Sequence, residues 1–141
     1  MTAIEATDQF DIDSYDQIHK VVELAMEGAA AGDVAKLRDA FHGEARMFGE
    51  VYGQRYDEPI CSFFELCQNH PLANNGNYRS RIISTTRVGG AAMVMVAEDG
   101  CWGSAAFVDF FTVTRIGGAW KITNKTFAHS GGEIPNEVLN D

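Results

Sequence analysis

Positive charge is what this chain has least of. Eleven lysines and arginines stand against 20 aspartates and glutamates in 141 residues, a formal charge of −9. A phosphate backbone must be met by basic side chains, so the balance argues against nucleic acid as a partner and equally against an anionic membrane surface. No apolar run approaches the ~20 residues that span a bilayer. The opening MTAIEATDQFDID has neither the basic nor the apolar region of a signal peptide. Cysteine is scarce too: Cys61, Cys67 and Cys101 are odd in number and lack CxxC spacing, which suggests neither a disulfide framework nor a zinc site. They read as buried, reduced thiols of a cytoplasmic protein. No set of histidines and carboxylates has converging metal-ligand spacing. Gly89-Gly90 and Gly117-Gly118 are hairpin turns, not the strand-to-helix loops that cradle phosphates. No cofactor and no metal are implied.

What remains is a chain of ordinary globular composition, 45% apolar and 22% charged, long enough for one domain. Residues 1–12 read as a loose arm, 13–131 as the domain and 132–141 as a C-terminal tail that adds little to the core. Tyr15, Ile18, Val22, Ala25 and Ala29 recur at helical spacing behind a cap at Asp13 or Ser14. Gly32 and Asp33 end that helix and start a second, whose Val34, Leu37 and Phe41 face inward. His42 follows as an ordinary helix-end residue, and His19 and His70 read as solvent-facing. Residues 44–52 form an irregular strand. Asp57-Glu58-Pro59 opens a third helix with the aspartate as cap, burying Ile60, Phe63, Phe64 and Cys67.

From Tyr78 the pattern turns to β. Hairpins around Gly89-Gly90 and Gly117-Gly118, taken without irregularity, pair Thr85 with Val94, Ile83 with Val96 and Arg81 with Glu98, then Val113 with Ile122, Phe111 with Asn124 and Asp109 with Thr126. Helices followed by a meander of long strands define an α+β fold. Strict alternation in the last hairpin puts Asp109, Phe111, Val113, Trp120, Ile122, Asn124 and Thr126 under the helices. The other face carries Val108, Phe110, Thr112, Thr114, Lys121, Thr123, Lys125 and Phe127. That second face is too apolar for a plain wet surface, and we read it as a homodimer interface; the alternative is that its Thr and Lys chains cover the two phenylalanines in a monomer. Asp109, Asn124 and Thr126 are polar groups where apolar ones belong. They form either a structural hydrogen-bond network or one wall of a ligand pocket.

The segments EGAAAGDVAKLRDAFHGEARMFG (27–49), GQRYDEPICSFF (53–64) and VDFFTVTRIGGAWKITNKTF (108–127) resemble the nuclear transport factor 2-like (ketosteroid isomerase/SnoaL-like) superfamily, most closely its putative lumazine-binding family. The resemblance implies a cone-shaped, curved antiparallel (mixed) sheet packed against about three N-terminal helices. It also implies a pocket between the two layers and dimerisation by the sheet. Ketosteroid isomerases join a helix tyrosine and a protonated strand aspartic acid in an oxyanion hole. Asp109 falls at the register of that aspartate, and Tyr15 could supply the tyrosine. The general base does not carry over: its place falls on Gly49, and Glu50 should point to the opposite face. A binding half-site without proton abstraction is therefore implied.

Trp102 roofs the expected cavity with Phe48 and Tyr52, or else belongs to the core. His129, before the flexible Ser130-Gly131-Gly132, stands at the cavity mouth as an acid or base, or else on the surface. The expected function is binding of an unidentified small molecule. The alternatives are a non-catalytic dimeric scaffold for a protein partner and an isomerase- or dehydratase-type acid–base enzyme.

Overall fold

Two helices open the chain because a cap, a left-handed glycine and a second cap follow one another. The computed structural model describes residues 10–141, so residues 1–9 of the expected arm lie outside the described residues. Helix α1 (Ile12–Ala31) is capped by Asp11, whose carboxylate accepts from the Asp13 N–H. Ser14 cannot be the cap, since its hydroxyl donates to Asp11 at 2.8 Å. Gly32, at φ 69°, ends the helix. Asp33 then caps α2 (Val34–Ala40) by accepting from the Lys36 N–H. Ile18, Val22, Ala25 and Ala29 are buried, with Tyr15 half-buried at the margin of that stripe. His19 is half-buried and meets the Thr85 hydroxyl at 2.9 Å rather than facing solvent.

Strand β1 (Phe41–Val51) starts directly from α2, three residues earlier than the sequence suggests. His42 is therefore a strand residue, and its Nδ1 accepts from the Glu44 N–H. Asp57 does not cap a helix. It lies in β2 (Gln54–Pro59), where it pairs with Arg46 at 2.8 Å, and α3 (Ile60–Asn69) begins behind Pro59 without a side-chain cap. Four long strands follow: β3 (Arg79–Val88), β4 (Ala91–Cys101), β5 (Ala105–Ile116) and β6 (Ala119–Gly131). The sheet order is β2-β1-β6-β5-β4-β3, antiparallel throughout except for the parallel pair β1–β6. This open, mixed six-stranded sheet with its helices on one side is the cone-shaped α+β fold.

Neither hairpin keeps the simple register. In the first, Thr85 faces Val94 as expected, but Ile82 rather than Ile83 faces Val96, and Glu98 lies opposite Ser80. In the second, Val113 faces Ile122, yet Thr112 faces Asn124 and Phe111 faces Lys125. Ile83 and Thr123 are the extra residues of two β-bulges. A one-residue slip moves every later side chain to the opposite face of a strand. Beyond Thr123 the inner face of β6 therefore carries Lys125 and Phe127, and the outer face carries Asn124 and Thr126.

The tail after Gly132 is not loose. Ile134 and Val138 are each only 7% exposed, and Val138 is the residue by which the short α4 (Asn136–Leu139) packs on the core. The Asp141 carboxylate comes within 3.3 Å of His70 Nε2, so His70 too has a partner rather than only solvent.

Candidate functional site

The helical layer does not close fully on the sheet. A cavity of about 450 Å³ remains between α3, the inner faces of β4–β6 and the C-terminal segment. Phe63, Trp102, Phe107 and Phe127 form aromatic walls, with Met47, Val51 and Leu72 among the aliphatic ones. Trp102 is held in place twice: its indole N–H donates to the His70 carbonyl at 2.8 Å, and its backbone N–H donates to the Leu72 carbonyl. Ile134, Val138 and Leu139 close one side, so the tail is part of the container. The outer part of the lining is acidic, with Glu65 and Asp141 exposed and Glu58 half-buried.

The buried part of the lining is charged. Glu98 on β4 and Lys125 on β6 both line the cavity at 7% and 5% exposure, and Asp109 on β5 lies behind them at 0%. The Lys125 ammonium donates to Asp109 Oδ1 at 3.2 Å. It sits between two rings, 4.4 Å from the centroid of Phe63 and 4.8 Å from that of Phe127, so cation–π attraction adds to the ion pair. The Tyr78 hydroxyl donates to Glu98 Oε2 at 2.8 Å. Asp109 Oδ2, fully buried, meets no ordinary donor.

A proton on Glu98 resolves that vacancy. Burial, and after it the charge of Asp109, hold the Glu98 carboxyl well above the usual glutamate range, and its side chain reaches Asp109. In its neutral form Glu98 is placed to donate to the carboxylate of Asp109. The triad then carries one negative and one positive charge and sums to zero, the arrangement an apolar interior tolerates best. Two thiols lie nearby: burial raises both Cys67 and Cys101 far above the thiolate range, leaving them chemically inert.

The sequence-derived candidates scatter around this centre. Asp109 and Trp102 are at it. Phe111, 1% exposed, is core, packed edge-on against Phe41 beyond the cavity lining. Tyr52 and His129 stand together at the edge, rings 5.2 Å apart, and Tyr52 accepts from the Ile134 N–H. Tyr52 and Trp102 are the two non-glycine residues with positive φ among the described residues, at 50° and 52°. Bulky residues adopt that backbone only when their surroundings insist on it. Tyr15 does not line the cavity, so it is not the partner of Asp109 across it. Asn124, Thr126 and Phe48 are corrections: the bulge turns the first two outward, where the Asn124 amide meets the Thr126 hydroxyl at 2.9 Å, and Phe48 is 43% exposed beside Thr126. Glu98 and Lys125 were missed. An acidic and a basic residue at otherwise apolar strand positions were the available signal, but the uninterrupted register assigned one to a cross-strand ion pair and the other to the outer face.

Gly49, where an isomerase's base would stand, is occupied in another sense. A Cβ there would come within 2.6 Å of the Phe127 ring. The phenylalanine fills the space a catalytic side chain would need. Among the described residues, no group of three or more His, Cys, Asp or Glu side chains could hold a metal ion.

The sequence profile of the family described as "Putative lumazine-binding" matches residues 13–128. No curated protein is significantly similar to the chain. Among solved structures, it is similar to an NTF2-like protein of unknown function from Methylobacillus flagellatus KT, at 29% identity and a TM-score of 0.78, over 86% of this chain and 95% of that one. A second, from Shewanella baltica OS155, is also described as NTF2-like and of unknown function. It shares 26% identity at a TM-score of 0.78, over 86% of this chain and 98% of the other. A ketosteroid isomerase-like protein from Erwinia carotovora atroseptica, at 11% identity, shares the fold with a TM-score of 0.69 over 86% and 99% of the two chains.

Two outcomes follow from the triad. Asp109→Leu leaves the Lys125 ammonium buried and unpaired, so it costs about 3–5 kcal/mol in denaturant unfolding, whereas Asp109→Leu combined with Lys125→Met recovers most of that loss. Additive losses would mean that the pair is not coupled. The second outcome concerns pH. The folded protein keeps a proton on Glu98 that the unfolded chain releases above ~4.3, so stability falls as pH rises from there towards the folded value. Glu98→Gln has no proton to lose. Its stability relative to the parent therefore grows from pH 5 to pH 8.5, and parallel pH profiles would contradict this assignment.

Proposed function

Because the chain belongs to the family described as "Putative lumazine-binding", of the nuclear transport factor 2-like superfamily, we propose that it binds a small molecule in the cavity between α3, the inner sheet face and the C-terminal segment. The observation that carries this reading is the cavity itself: about 450 Å³, aromatic-walled, with a lysine and a glutamate buried at its lining. Ligand sites combine mostly apolar walls with a few convergent polar groups. Lys125, Glu98 and Trp102 contact the ligand, Asp109 holds Lys125 in place, and Tyr52 and His129 frame the opening. Proton abstraction in the manner of an isomerase is the weaker reading, because the position of the base is filled by Phe127. Three free thiols, two of them buried, fit a reducing cytoplasm.

The test is a thermal-shift screen of small aromatic and apolar compounds. Hits raise the melting temperature by several degrees at millimolar ligand. Ser62→Trp, which puts a bulky ring at the α3 side of the cavity, weakens the same hits at least ten-fold while the protein stays folded. A library without hits, or hits indifferent to Ser62→Trp, counts against the cavity.

The outer sheet face supports a homodimer. Phe48, Thr126, Phe110 and Met95 follow one another across β1, β6, β5 and β4, and Phe48, Phe110 and Met93 are 43%, 37% and 49% exposed. A row of apolar side chains on an open sheet is a self-complementary surface for a two-fold partner. Phe110→Glu is expected to shift micromolar protein from dimer to monomer in sedimentation velocity, and a parent protein that sediments as a monomer rejects the interface. Phe127 plays no part in it, since its ring faces the cavity.

A further inference from the structure

If the cavity is a ligand site, as proposed above, its buried charges also restrict what can occupy it. The Lys125 ammonium has three N–H donors, and one of them goes to Asp109 at 3.2 Å. The rings of Phe63 and Phe127 lie 4.4 and 4.8 Å from the nitrogen but offer no oxygen or nitrogen acceptor, and Lys125 borders the open space. A donor is therefore available to whatever enters. Attraction for a full negative charge is not, because Asp109 already balances Lys125. Glu98 stands beside them, and its neutral form is what satisfies the orphaned Asp109 Oδ2. A ligand carboxylate placed there would be a second buried anion facing one cation. It would also approach past Glu58, Glu65 and Asp141, through a protein of net charge −9. A neutral oxygen has neither problem: it accepts from the ammonium and leaves the charge balance intact. A pure hydrocarbon fits the walls but leaves the ammonium's free donor unmet.

We infer that the site selects a neutral, largely apolar molecule whose carbonyl oxygen accepts a hydrogen bond from Lys125 between Phe63 and Phe127. Phe107 and Trp102 enclose the ligand body. Lys125 acts here as a hydrogen-bond donor of a balanced pair, not as an anion receptor.

Three probes with one ring system separate the possibilities: 2-acetylnaphthalene (ketone), 2-naphthoate (carboxylate) and 2-ethylnaphthalene (hydrocarbon), titrated by calorimetry at pH 7. The ketone is expected to bind about ten-fold or more tightly than either of the others. Asp109→Leu/Lys125→Met, the pair removed together so that no charge is stranded, brings ketone and hydrocarbon to equal affinity. Tightest binding of 2-naphthoate overturns the inference and makes Lys125 an anion site. Equal affinity for all three overturns it while the cavity stands as a binding site. No binding by any probe removes the inference and the cavity reading together.

Discussion

One extra residue in β6 decides what the inside of this protein is. Thr123 has no partner of its own between the Val113–Ile122 and Thr112–Asn124 pairs, and the residues from Asn124 to His129 are turned over. Without that bulge Asn124 and Thr126 would lie under the helices, and Lys125 and Phe127 would face out. With it, an ammonium and a phenyl ring are delivered to the interior together. The ring then covers Gly49, which leaves no room for the side chain that gives related folds their proton chemistry. A single local irregularity thus sets both what the cavity contains and what it lacks.

A lysine turned into a core has to be accommodated, and the surroundings are arranged around that need. Asp109 supplies the opposite charge, two aromatic faces supply weaker attraction, and a glutamate that retains its proton satisfies the remaining carboxylate oxygen. Tyr78 closes the chain of hydrogen bonds from the far side. Such a cluster stabilises a fold little by itself, since desolvation offsets most of the attraction. Burial beneath α3 and the C-terminal segment lowers the local dielectric and makes each of these interactions matter more.

The parts of the fold that depend on periodicity and local chemistry were legible in the sequence. The α1–α2 junction follows from Gly32 and Asp33, and the paired glycines mark both hairpin turns. The helical stripe of Ile18, Val22, Ala25 and Ala29 is the buried one. What failed depends on non-local geometry. A bulge leaves no residue-level mark when the extra residue is an ordinary isoleucine or threonine, so strict alternation carried the face assignment astray after position 123. Asp57 offered a helix cap as readily as a partner for Arg46, and only the pairing of β1 with β2 chooses between them. The tail looked dispensable because two glycines precede it, although Ile134 and Val138 were the apolar residues to notice. Asp109 was legible as an anomaly, but its meaning was not, since its partner lies 16 residues away on the wrong side of an unseen slip.

The parallel contact between β1 and β6 sets an order of events. Strand β1 ends at Val51, yet its partner on that edge begins at Ala119, near the end of the chain. While the polypeptide emerges from the ribosome, β1 can pair with β2 and pack against the helices, but its other row of amide and carbonyl groups stays unmatched until β6 exists. Contacts that join such distant segments form late and slowly. The sheet cannot be completed piecemeal from the N-terminus: the seam between β1 and β6 waits for the last strand, and until then β1 carries an open edge, the kind of surface that invites pairing with another chain.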